Sequence, residues 1–318
     1  MLLIPLLPGT VWANPTCKLA LPPSQPLKVE GFYADSQGSV VDGSKRAARD
    51  KAVAPYEAFV RLQQQRADAY LVRGDEAAGR CALDNLALWA ERRALTGRWS
   101  SRQANYERNW YLGALALAYL KVMALADPSE RARIARWLEE MAAPIPDFLA
   151  RDDVPENNLA YWAGLAMAAT ALATGDGRLR KQADGILAQG LAAIAPDGTL
   201  PLEMERGGKA LDYHCFAAAP LAAMAFMAKA RGDTVDFASL KRLGERIIAG
   251  LRDPSSFAAM AGAPQESPPQ WNLAWFGFYG ALVPTDNLPP HAANSHFLGG
   301  DVAATMQAIK TATRRDVR

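Results

Sequence analysis

Cysteine is scarce in this chain of 318 residues: there are three, and none falls in a CxxC or CxxxH spacing. That excludes a disulfide scaffold and offers no zinc site. Val, Ile and Thr are thin beside the abundant Ala, a balance that favours helices over sheets. Charge of one sign is also lacking, with 35 Lys+Arg against 33 Asp+Glu and a formal net charge of +2. Nucleic acid is therefore not the expected partner, and no basic run suggests a membrane surface. After the first residues no segment reaches ~18 apolar residues without a charged or strongly polar break, so no membrane span is expected. An anionic ligand would have to be held by local basic residues, since the whole molecule supplies almost no field.

What the chain does have is a hydrophobic half (50% of residues), enough to bury a sizeable core. Its first residues, MLLIPLLPGTVWANP, are apolar and end in Val11-Trp12-Ala13, which fits a signal-peptidase site after Ala13 although the positive n-region is missing. Export is the expectation, to the periplasm or the medium. Residues 1–13 then form a signal-like segment, residues 14–44 an irregular lid segment and residues 45–318 a single helical domain with a C-terminal tail. In an oxidising compartment Cys17 and Cys81 can pair, tying the N-terminal segment to a helix. Cys215 sits in an apolar helix and reads as a buried thiol.

From residue 45 onward two helix types alternate. One is Ala-rich and opens on a polar and aromatic cluster, as in NYERNWYLGALALAYLKVMALA, NNLAYWAGLAMAATALAT, DYHCFAAAPLAAMAFMAKA and QWNLAWFGFYGAL. Turn signals follow the first three at Asp127-Pro128, Gly175-Asp176 and Gly232-Asp233, and then comes a charged amphipathic helix such as SERARIARWLEEMA. Trp110, Trp162 and His214 recur at intervals of 52 residues, so the repeating unit is about one helical hairpin. A helix that is apolar all round must be covered on all sides, and an amphipathic one covers a single side. Alternating them predicts an all-α fold, an incomplete (α/α) barrel or toroid with an inner and an outer ring. If the inner helices all run the same way, their N-terminal clusters meet at one mouth, where unsatisfied N–H groups favour an anion.

Two segments carry possible chemistry. Pro155-Glu156-Asn157-Asn158-Leu159-Ala160-Tyr161-Trp162 puts two amides at a helix start with aromatics one turn on. An N-cap explains one Asn and a packed core explains the rings, but a cap needs only one of Asn157 and Asn158. The second segment, Asp197 to His214, crowds Glu203, Glu205, Arg206, Asp212, Tyr213 and His214 around a Gly pair and a helix start. A surface network of ion pairs and a functional site explain it equally well.

NNLAYW resembles the NNHSYW segment of the alginate lyase family, and DGTLPLEMERGGKALDYHCFAAAPL resembles that family's DGxLPxELxRxxxALxYHxYALxPL, with matching separation between the blocks. Weaker likeness runs through Lys28 to Ser36, Cys81 to Ala94 and Asn294 to Gly300, so it spans nearly the whole chain. The resemblance implies β-elimination on a uronic-acid polymer with no metal and no organic cofactor, carried out by a monomer on an anionic polysaccharide. It implies that Asn158 and Arg206 neutralise the substrate carboxylate, that Tyr213 is base and acid, and that Tyr33 is a substrate-binding tyrosine on a lid. Charge building on a uronate during proton removal needs such donors, and the planar guanidinium suits a carboxylate. A basic Tyr213 in turn needs cationic neighbours, of which Arg206 and His214 are nearest in sequence.

Around that set Asn157, Leu159, Tyr161, Trp162 and His214 are candidate substrate contacts, as is Trp110, which travels with Arg102, Asn105, Tyr106 and Asn109. Leu159 stands where the family carries histidine, and Phe32 where it carries lysine before the lid tyrosine. Losing those groups points from polymannuronate towards a less densely charged mannuronate- or glucuronate-containing exopolysaccharide. Two other classes remain: a non-catalytic polymer-binding relative, and a glycoside hydrolase drawing two carboxyls from Glu156, Glu203, Glu205 and Asp212. The Asn, Arg and Tyr set has no task in hydrolysis. His291 and His296, in the Pro-rich tail, read as surface residues.

Overall fold

Short polar residues and glycines set the helix ends. In the computed structural model, which describes residues 17–316 except 25, 98, 100, 286 and 287, the helices run α1 (Gly43–Arg73), α2 (Glu76–Glu91), α3 (Arg102–Val122), α4 (Pro128–Ala142), α5 (Ile145–Leu149), α6 (Asn158–Thr174), α7 (Gly177–Ala192), α8 (Pro201–Met204), α9 (Ala210–Arg231), α10 (Phe237–Arg252), α11 (Ser255–Ala261), α12 (Phe276–Leu282) and α13 (Val302–Asp316). The signal-like segment 1–13 lies outside the described residues. Asp127 and Glu130 form a capping box on α4, while Asp176 and Asp236 cap α7 and α10. Gly175 and Gly232 close α6 and α9 with φ of 83° and 89°, a backbone region where only glycine is free of strain.

Helices α3, α6 and α9 are buried on nearly every face and join α1 and α12 in an inner row. Around them α2, α4, α7 and α10 each bury one stripe. Small residues let the inner helices approach: a Cβ on Gly113 would lie 3.4 Å from the Ala166 Cα. The result is the incomplete (α/α) barrel expected from the alternation. Helix α13 packs against α1, α3, α6, α9 and α12, so the C-terminal segment lies against the inner ring rather than trailing from it. Gly207–Arg231 is the one helical stretch among the described residues long and apolar enough to cross a membrane, and it is mostly buried in the core.

Two attachments bring distant chain to the barrel mouth. Residues 17–42 are pinned on α2 by a Cys17–Cys81 disulfide and by hydrogen bonds of Ala20 N to Asn85 Oδ1 (2.8 Å) and of Trp89 Nε1 to Ala20 O (2.7 Å). They then turn back in a narrow loop where Ala34 N donates to Val40 O and Asp42 N to Phe32 O. At the other end a small antiparallel pair, β1 (Asn294–Ser295) and β2 (Gly300–Asp301), is held by the buried Lys121 of α3. Its ammonium pairs with Asp68 of α1 and donates to Gly299 O at 2.7 Å. Burying that cation lowers its pKa, and the Asp68 carboxylate offsets the cost. Cys215 is buried and unpaired, as expected.

Candidate active site

The N-terminal ends of α3, α6 and α9 and the first half of α1 converge on one cleft of about 460 Å³, with the lid loop at Tyr33 and the β1–β2 tip as further walls. Tyr213 lies in the first turn of α9, where the helix start sets its direction. Its hydroxyl is in short contact with the hydroxyl of Tyr33. The Arg206 guanidinium lies over the Tyr213 ring, 4.1 Å from its centroid. Burial pushes the Tyr213 phenol well above its ordinary range and Tyr33 adds to this, while Arg206 pulls the other way. Burial outweighs the cation, so with no substrate in the cleft the hydroxyl keeps its proton.

Behind these groups sits Glu203, fully buried. Its carboxylate accepts from the Asn158 backbone N (2.8 Å) and from Asn158 Nδ2 (2.9 Å and 3.0 Å), and lies 3.8 Å from Arg206 Nε. Burial raises the Glu203 pKa, with Arg206 and the Asn158 donors opposing. Glu203 therefore orients both Asn158 and Arg206. Arg206 Nη1 also donates to Gln37 O on the lid at 3.0 Å. Gly38 makes this approach possible, since a Cβ there would meet Arg206 Nη1 at 2.0 Å.

One face of α1 supplies Arg46, Arg49, Asp50, Glu57 and Arg61. Most of that charge is spent internally. Arg49 makes a two-pronged contact with buried Glu107 (2.7 Å and 2.8 Å) and a 2.9 Å contact with Asp50, and Arg46 pairs with Asp50 at 3.0 Å. Aromatic rings line much of the rest: Trp110, Phe216, Trp271 and Phe297 pack edge-on or tilted at centroid separations of 5.4–6.3 Å. Among the described residues no cluster of three His, Cys, Asp or Glu side chains could hold a metal ion.

Of the residues singled out in the sequence, Tyr33, Trp110, Asn158, Leu159, Arg206 and Tyr213 line this cleft together. The others do not. Asn157 is the N-cap of α6, its Oδ1 accepting from Leu159 N at 3.1 Å, so the two amides divide the two tasks. Tyr161 points outward against Gly190 of α7. Trp162 packs among the cleft aromatics, 4.9 Å from Phe216 and 5.4 Å from Phe297, without lining the cleft itself. His214 is a buried strut: Nε2 accepts from Leu200 N at 2.9 Å, leaving Nδ1 to donate to Ala210 O at 2.7 Å. Burial lowers its pKa to about 4, so it is no cation for Tyr213. Asn157, Tyr161, Trp162 and His214, expected as substrate contacts, thus sit outside the lining of the cleft.

His296 departs the other way: the tail histidine lies in the cleft, 3.9 Å from the Phe297 ring, and burial lowers its pKa to about 3, with Arg61 and Arg49 adding to the effect. His291 is exposed, as expected. Of the carboxyls weighed for hydrolysis, Glu156 and Glu205 are exposed outside the cleft, Glu203 is engaged by Asn158, and Asp212 alone lines it.

The family profile described as alginate lyase matches residues 33–257. A polysaccharide lyase of Stenotrophomonas maltophilia is 38% identical over 327 residues, covering 98% of this chain and 98% of that protein. An alginate lyase of Pseudomonas putida is 30% identical over 318 residues, with 91% and 84% covered. An alginate lyase of Pseudomonas syringae pv. syringae is 35% identical over 198 residues, a match that takes in 58% of this chain and about half (52%) of the relative. Among solved structures, alginate lyase A1-III from Sphingomonas species A1 shares the fold with a TM-score of 0.75 at 22% identity, covering 92% of this chain and 85% of that one. A form of alginate lyase A1-III complexed with a tetrasaccharide gives a TM-score of 0.77 at 23% identity, with 92% and 85% covered.

Proposed function

Because the chain belongs to the alginate lyase family and is a polysaccharide lyase, we propose that it cleaves a mannuronate- or glucuronate-containing exopolysaccharide by β-elimination, with Tyr213 as base and acid. The observation that carries this reading is the stacking of Arg206 on Tyr213 within a cleft that also holds Asn158. The substrate carboxylate docks on Arg206, which exchanges its contact with Gln37 O for the uronate, and on Asn158 once its amide turns from Glu203. Once turned to the uronate, these donors face the position where charge develops and lower the barrier there. Entry of the sugar separates Tyr33 from Tyr213, and the Arg206 cation then favours the phenolate. The phenolate takes the C5 proton, the C4=C5 bond forms as the C4–O bond breaks, and the same proton passes to the departing oxygen. The phenolic proton released as the sugar enters passes to bulk water, and each turnover regenerates the phenolate, so charge and protons balance.

Export fits the same reading, and the Cys17–Cys81 disulfide supports it because such bonds persist in oxidising compartments. The test is incubation with polymannuronate, glucuronan and xanthan-like polymers, following the ultraviolet absorbance of the unsaturated product. New reducing ends without that absorbance would mean hydrolysis, and neither signal would leave only a binder.

A further inference from the structure

Beside Tyr213 the cleft carries a group that an anion-binding site would be expected to avoid. Asp212 lines it, and one carboxylate oxygen, Oδ1, accepts from Asn272 Nδ2 at 2.7 Å. Among the described residues Asp212 has no ion pair; Lys209, the cation that favours its charged form, is itself paired with Glu266. Asn272 is 3% exposed and its Nδ2 is fully used, bonding Asp212 O as well at 3.0 Å. Its Oδ1 is buried without a hydrogen-bond partner. Leaving such an acceptor unsatisfied is costly, so the position asks for a donor from a ligand. Next to it Trp271 keeps 37% of its surface exposed, held by Phe216, Phe297 and His296 at 5.4–6.3 Å.

We propose that Asp212, Asn272 and Trp271 form a subsite for a neutral sugar next to the uronate at which cleavage occurs, so that the polymer alternates uronate with an uncharged residue. The proposal rests on the lyase reading above for its placement and on this pocket's own chemistry for its specificity. Two acceptor oxygens beside an aromatic face match a hydroxyl-bearing ring, whose hydroxyls donate and whose C–H face stacks. A second carboxylate in this position would face the Asp212 charge in a partly desolvated cleft, and like charges there are strongly disfavoured. The α1 cations do not offset this, since Arg49 faces Glu107, Arg46 faces Asp50 and Arg61 faces Glu57.

The experiment is calorimetric titration with two ligands of equal length, a hexasaccharide alternating glucuronate with glucose and hexaglucuronate, using a Tyr213→Phe background to prevent turnover. The alternating ligand should bind at least about tenfold more tightly. Asp212→Asn, which keeps the shape and removes the charge, should shrink that preference to less than about threefold, chiefly by improving hexaglucuronate. Trp271→Ala should weaken the alternating ligand by about tenfold. Equal affinities, no binding of either ligand, or a preference untouched by Asp212→Asn would overturn the subsite. Failure of the lyase reading looks different: the wild type would release no unsaturated uronate from any polymer while the preference and its dependence on Asp212 persisted.

Discussion

The Arg206 guanidinium lies 4.1 Å over the ring of Tyr213 while its Nε faces buried Glu203 at 3.8 Å, so one side chain links Tyr213 to the group that orients Asn158. A flat cation serves both contacts at once, and an ammonium cannot. Arg206→Lys should therefore lower kcat/KM by at least ~10² despite the retained charge. Steady-state rates on the preferred polymer decide it, and a lysine variant as fast as wild type would place the carboxylate clamp elsewhere.

Tyr213→Phe removes one hydroxyl and almost no volume. Its partner Tyr33 keeps its place in the lid loop, so the melting temperature should barely move. Activity should fall by ~10²–10⁴, the usual cost of losing a positioned proton-transfer group. Near-normal turnover would remove Tyr213 from the mechanism.

The toroid was legible because its cause is local: Ala-rich helices alternate with amphipathic ones, and Asp, Asn and Gly mark the ends. Asn158, Arg206 and Tyr213 were legible because they fall within two compact segments. What local segments do not carry arrives from far away in the chain. His296 reaches the cleft only because Lys121 anchors the β1–β2 tip, and Asn272 meets Asp212 across 60 residues. The stripe of Arg46, Arg49, Asp50, Glu57 and Arg61 has the i, i+3, i+4 spacing of one helix face, which read alone is indistinguishable from a solvated surface. His214 misled for a related reason. Adjacency to Tyr213 suggests the site, yet successive helical side chains point about 100° apart, and this one faces the backbone of Leu200.

His214 should set part of the acid sensitivity. Its folded pKa of about 4 lies below the 6.5 of an exposed imidazole, so the unfolded chain takes up this proton first as pH falls. The stability tied to neutral His214 is complete above 6.5 and is lost as pH falls towards 4, about 3 kcal/mol in all. His214→Gln should start less stable at neutral pH and show a shallower decline over that window, measured as urea midpoints. Parallel curves for the two proteins would show that the histidine does not titrate on unfolding as described. His296, also depressed, remains in both and cancels from the comparison.

In the resemblance of NNLAYW to the NNHSYW segment, Leu159 takes the place of the histidine, next to the proposed carboxylate contact Asn158. It is half-buried in the first turn of α6, follows Asn158 directly and lines the cleft. An isobutyl side chain neither donates nor accepts, so it shapes the subsite by volume and by excluding water. Replacing it with histidine exchanges that surface for a donor and an acceptor at the edge of the carboxylate position. Because the side chain is only half-buried, the cost in stability should stay near ~1 kcal/mol, a shift of a few degrees in melting temperature. Activity on the preferred exopolysaccharide should fall, and activity on polymannuronate should rise, since the new imidazole stabilises charge that Asn158 and Arg206 alone leave exposed. Unchanged rates on both polymers would show that Leu159 takes no part in substrate choice. A wild type inert on every uronan, with Leu159→His alone active, would instead mean that the site had lost catalysis through this one replacement and kept the rest of its machinery.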